Sequence, residues 1–131
     1  SPLTQMITAA YLRDFDWMGR VRDSRRLYAG RCAAMLAALQ EEMPDGVSWT
    51  VPDGGFFVWL SLPEGIDTYP LLAEAIEAGT VFIPGTAFTP GDEPSSKLRL
   101  AFSAVSEQDI AEGVRRLAPV IRRAVAAAGP V

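Results

Sequence analysis

The chain has 131 residues, of which 49% are hydrophobic and 21% charged, with a net charge of −4, one cysteine and no histidine. This balance suits one soluble globular domain that buries roughly two-thirds of its unfolded surface, and it argues against a membrane span, a secretory leader or direct nucleic-acid binding. The missing histidines remove histidine-based triads and metal ligands, and a lone cysteine makes neither a disulfide framework nor a thiolate cluster, so a cytoplasmic setting is expected.

Residues 1–15, SPLTQMITAAYLRDF, read as a helix with Ser1 or Thr4 near its start and Pro2 tolerated in the first turn. After Asp16, the residues Met18, Val21, Arg25, Tyr28, Cys32, Met35 and Leu39 step by three and four. That row, apolar except for Arg25, marks one face of a long helix running to about Glu42. Within it Cys32 is expected to be a buried small hydrophobe. Arg20, Arg22, Arg25, Arg26 and Arg31 cluster on the same stretch, interrupted by Asp23, and read as a solvated or partner-facing surface. PDG at 44–46 ends the helix.

VSWT (47–50) is a short strand candidate, PDGG (52–55) a turn, and FFVWLSL (56–62) a strand closed by Pro63. Thr68 or Asp67 is expected to cap a helix over 70–78, with Pro70 in its first turn and Gly79 as a left-handed stop. TVFI (80–83) is another strand, broken by PG at 84–85, and a loop with Pro90, Gly91 and Pro94 follows. In SSKLRLAFS (95–103), alternation puts Leu98, Leu100 and Phe102 on one face and Lys97, Arg99, Ala101 and Ser103 on the other. SEQD (106–109) is a capping box, and Ile110, Val114, Leu117 and Ile121 form a helical stripe. Pro119 inside that stripe predicts a kink or a break. The order of elements specifies an α+β fold, a small and mainly antiparallel sheet covered by helices 17–42 and 106–124. Residues 55–62 are expected to pair with both 80–84 and 97–103.

Few residues offer chemistry. The carboxylates are scattered, and Glu41 and Glu42 are surface features at a helix end. The glycine turns lack the strand–loop–helix setting of a phosphate cradle. Lys97, the only lysine, opens a strand after a polar loop with no sign of a desolvating pocket, so it reads as a solvated charge. Arg99 is different. Small residues share its face and leave room for a ligand, and a guanidinium matches a carboxylate with two parallel hydrogen bonds. Spacing alone leaves it either an outward surface arginine or an anion clamp.

Taken in order, PDGGFFVWLSLP, AGTVFIPGTAF, KLRLAFS and SEQDIAEGVRRLAPVI resemble the C-terminal small domain of fold-type I aminotransferases dependent on pyridoxal phosphate. The nearest likeness is to the α-aminoadipate and kynurenine aminotransferase subgroup and to the aminotransferase-like domains of MocR-type regulators. SPLTQ and the RxxYxxR of Arg25, Tyr28 and Arg31 resemble the helices that lead from the large domain into the small one. The resemblance covers essentially the whole chain, so 1–131 is expected to be one domain, with 1–16 a linking helix from a large domain missing here.

The resemblance implies that Arg99 binds the substrate α-carboxylate. It implies that Gly54 and Gly55 turn near the active-site mouth, and that Pro84, Gly85 and Phe88 shape the substrate side. The family's Schiff-base lysine, its aspartate for the pyridine nitrogen, its stacking aromatic and its phosphate cup all lie in the large domain, and Lys97 does not match the lysine. Pyridoxal phosphate is therefore expected in the parent protein and not on this chain alone, which would be inactive by itself. The implied parent is a homodimer that transfers an amino group between an amino acid and a 2-oxo acid. The alternatives are the effector-binding part of a MocR-type transcriptional regulator and a non-enzymatic α+β binding module.

Overall fold

Alternation decides the sheet. In the computed structural model, which describes residues 1–129, Val58 and Leu60 of one central strand and Leu98 and Leu100 of the other are buried against the helices. Their neighbours Phe57, Trp59, Arg99 and Ala101 point the other way. The elements are α1 (Pro2–Asp14), α2 (Trp17–Glu42), β1 (Ser48–Trp49), β2 (Phe57–Ser61), α3 (Leu71–Glu77), β3 (Ile83–Pro84), β4 (Lys97–Ala101) and α4 (Glu107–Ala128). Two short 3-10 turns, Gly85–Phe88 and Pro90–Asp92, link β3 to β4. The fold is α+β, with one four-stranded antiparallel sheet in the order β1-β2-β4-β3.

The pairing of β2 with β4 is the expected one, in the register Val58↔Leu100 and Leu60↔Leu98. The segment 80–84, however, pairs with β4 and not with 55–62. A strand has two edges, and β1 occupies the second edge of β2, so β3 takes the free edge of β4. β3 is also shorter than TVFI suggests. The Thr80 N–H still donates to Ala75 O in the closing turn of α3, and only Ile83 and Pro84 reach the ladder.

One face of this sheet carries the core. α4 supplies Ile110, Val114, Leu117, Ala118, Val120 and Ile121. Its start carries the Ser106 half of the expected capping box: the Ser106 hydroxyl accepts from the Asp109 N–H at 3.1 Å, while the Asp109 carboxylate accepts from that hydroxyl at 2.7 Å rather than from the Ser106 N–H. Pro119 does not break it, for α4 is one continuous helix to Ala128. Pro119 lies on the solvent side, where water can satisfy the Arg115 carbonyl that proline leaves without a donor.

α2 contributes less than its periodic row promises. Met35, Ala38 and Leu39 are buried, Tyr28 and Cys32 are half-buried, and Met18 and Val21 are exposed. The Cys32 expectation is corrected accordingly, because the apolar row extends beyond the core that α4 and the sheet offer it. α1 buries no residue at all. Thr68 and Asp67 do not cap α3 either. Asp67 accepts from the Tyr69 N–H at 3.0 Å, while Thr68 is buried and hydrogen-bonded to the entry of β4. Gly79 does end α3, at φ 79°. No described helix is long and apolar enough to cross a membrane.

A candidate carboxylate site on the open face of the sheet

Burial of Leu98 and Leu100 forces Arg99 onto the other face of β4, opposite the core. Its cross-strand neighbours there are Trp59 of β2 and Ile83 of β3. The guanidinium carbon lies 3.9 Å from the centre of the Phe57 ring and 4.5 Å from that of Phe88. Trp59 meets Phe88 edge-on, with centroids 4.9 Å apart. Phe57, Ile83 and Phe88 are each roughly two-fifths to one-half exposed (39%, 41% and 47%), so the site opens to solvent.

The position of Phe88 follows from its local sequence. Pro84 directs the chain out of β3, and Gly85 then passes so close to β4 that a side chain would not fit. A β-carbon at Gly85 would lie 2.7 Å from Lys97 O and would also meet the Ser95 hydroxyl. The turn that follows brings Phe88 over Arg99, and the Thr89 hydroxyl secures it by donating to Thr86 O at 3.1 Å and Glu93 O at 3.3 Å. The other side of the approach is fixed by Thr68, whose hydroxyl donates to Ser95 O at 3.0 Å and Lys97 O at 2.8 Å.

Electrostatically the site is unbalanced. The Arg99 Nε is buried without a hydrogen-bond partner. Among the described residues no carboxylate forms an ion pair with this guanidinium. A buried donor left unpaired costs about 1–3 kcal/mol. Ring faces return about 0.5–2 kcal/mol of that through cation–π attraction, without occupying the N–H groups. The arrangement is suited to an incoming carboxylate, which would supply charge-assisted hydrogen bonds.

Arg99 and Phe88 are thus brought together. Gly54 and Gly55 line a groove of about 1150 Å³ with Tyr28, Cys32, Phe56 and Phe102, a lining that does not include Arg99 or Phe88. Phe57 and Trp59 are site residues that sequence reasoning missed. The signal was the alternation of FFVWLSL, which sets them opposite Val58 and Leu60, but it points to Arg99 only once the register with β4 is known. Lys97 is exposed at the start of β4, and the PDGG and PG turns lead into a strand and a 3-10 turn rather than a long helix.

Residues 1–117 match the family model for aminotransferase class I and II. The aromatic-amino-acid aminotransferase 1 of Thermococcus litoralis is 50% identical over 95 residues, 72% of this chain and 23% of that protein. A multiple substrate aminotransferase from Thermococcus profundus superposes with a TM-score of 0.85 at 40% identity, covering 90% of this chain and 29% of the other. An alpha-aminoadipate aminotransferase from Thermus thermophilus, complexed with N-(5'-phosphopyridoxyl)-L-leucine, gives 0.85 at 36% identity, with 95% and 32% covered. The chain spans between 23% and 32% of the length of these relatives.

Proposed function

The chain belongs to the aminotransferase class I and II family, and from that premise we propose that it is the small domain of a pyridoxal-phosphate-dependent aminotransferase and binds substrate through Arg99. The observation that carries this reading is a guanidinium with no acidic partner among the described residues, set against two phenyl rings on the sheet face opposite the core. Arg99 takes the carboxylate of an amino acid or 2-oxo acid in its fork, and Phe57, Trp59 and Phe88 exclude water around it. Lower local polarity strengthens each charged contact.

The open face then meets a large domain that holds the cofactor and its lysine, and closing the two sequesters the substrate. Pyridoxal phosphate carries the amino group between the two acids when bound there, and no chemical step falls to residues of this chain. In this reading α1 links the domains, and the parent is a cytoplasmic homodimer.

Substitution of Arg99 in the full-length protein tests it. Hydrogen bonds to a charged group are worth about 1.5–3 kcal/mol each, and the fork makes two. Allowing for solvent and non-additivity, Arg99→Ala should remove roughly 2–4 kcal/mol, about a 30- to 900-fold loss in kcat/KM at ~1.4 kcal/mol per decade. Arg99→Lys should recover only part, because an ammonium lacks the planar fork. An Arg99→Ala enzyme that keeps its kcat/KM, or a domain that unfolds without Arg99, would make the arginine structural. Carboxylate binding at Arg99 without turnover would instead favour an effector-sensing regulator.

A further inference from the structure

The rings around Arg99 have a task of their own. We propose that Phe57 and Phe88 are positioning residues, which fix the orientation of the Arg99 guanidinium so that its in-plane N–H groups face the incoming carboxylate; this rests on Arg99 being the clamp.

An arginine side chain is long and flexible, and proteins commonly fix one with a carboxylate. An acid at Arg99 would cancel the charge and compete with the substrate for the same N–H groups. A phenyl ring attracts the cation through its face and leaves the edge of the guanidinium free. Arg99 has two such rings, 3.9 Å and 4.5 Å from its guanidinium carbon, and no acidic partner among the described residues.

Both rings stand on fixed mounts. Phe57 is on β2, whose ladder with β4 sets Trp59 opposite Arg99. Phe88 ends the turn that Gly85 allows to lie against β4, and Trp59 packs against it in an edge-to-face pair with centroids 4.9 Å apart. Those mounts belong to two separate stretches of sequence that converge on a guanidinium carried by a third. Rings that merely filled space on a sheet face would have no reason to centre on the charge.

The test uses the full-length enzyme with 2-oxoglutarate as amino acceptor and compares Phe88→Leu with Phe88→Tyr, each with Arg99 present and in the Arg99→Ala background. Leucine keeps apolar bulk and removes the ring, whereas tyrosine keeps the ring. Phe88→Leu should lower kcat/KM about 5- to 30-fold, the equivalent of a cation–π contact of about 1–2 kcal/mol. The change should fall on KM more than on kcat, because a misaligned fork weakens binding of substrate and transition state alike. Phe88→Tyr should stay within about twofold of the parent, and Phe88→Leu should add nothing once Arg99 is alanine. Should Phe88→Leu fail to fold, Phe57→Leu on the neighbouring strand carries the same expectations.

Equal losses with and without Arg99 would overturn the inference, as would full activity in both leucine variants. If Arg99→Ala is costly while both leucine variants are silent, the clamp stands and the positioning role falls. If Arg99→Ala is itself silent, both fall together.

Discussion

Three glycines, Gly85, Gly55 and Gly54, differ in what a methyl group would meet, and replacing each with alanine separates steric crowding from backbone strain. At Gly85 the added β-carbon would lie 2.7 Å from Lys97 O and 2.9 Å from the Ser95 β-carbon. Lys97 O cannot yield easily, because it also accepts the Thr68 hydroxyl at 2.8 Å and belongs to the strand held by Pro84↔Leu98 and Ser61↔Lys97. Overpacking of this kind costs about 1–3 kcal/mol, and a rigid neighbour puts Gly85→Ala at the upper end, about 2–3 kcal/mol. For a chain of this size that lowers Tm by roughly 8–12 °C.

Gly55 has nothing within 4 Å but sits at φ 82°, so Gly55→Ala should lose only about 1–2 kcal/mol of backbone energy. Gly54 has open space and no such φ. Gly54→Ala should be neutral or gain up to about 1 kcal/mol by restricting the unfolded chain. Urea denaturation followed by circular dichroism gives the three midpoints, with m unchanged if the denatured state is unaffected. A Gly85→Ala chain as stable as Gly54→Ala would refute the close approach, and with it the account of how Phe88 reaches Arg99.

Thr68→Val should cost about 1–2 kcal/mol in the same assay, because an isosteric side chain leaves Ser95 O and Lys97 O without their hydroxyl donor; an unchanged midpoint would contradict the buried hydrogen bonds. Pro119→Ala should stabilise the chain by about 1–2 kcal/mol by restoring an N–H toward Arg115 O, and a lower midpoint would show that the proline is needed in α4. Hydrogen bonding from Arg116, with the charge of Arg115, holds the Glu112 carboxyl below its ordinary value of 4.5. A lowered folded value means the contribution is present above the unfolded pKa and is lost as pH falls through the folded one; a carboxyl NMR titration of Glu112 at or above 4.5 would contradict this.

Local pattern carried much of this molecule. The α+β class, the Ser106 cap of α4, the left-handed stop at Gly79 and the two faces of β4 all follow from spacing over a few residues. Physical reasons that act within one turn or one strand are visible in a string of letters. Even Arg99 stood out there, as a charge flanked by leucines with small residues on its own face.

What the sequence alone left open depended on partners far along the chain. Pro119 reads as a helix breaker until packing on its buried side and solvent on its other side let α4 run through it. Cys32 and Val21 share an apolar row with Leu39, yet burial stops where α4 and the sheet no longer reach. β3 joins β4 rather than β2 because β1 already holds the other edge, and no local rule assigns an edge. Phe57 and Phe88 meet at Arg99 only because the β2–β4 register and the close passage of Gly85 bring distant residues within about 5 Å of one guanidinium. Periodicity tells which face a side chain takes; the site depends on which faces meet, and that is set by pairing edges and packing across the whole chain.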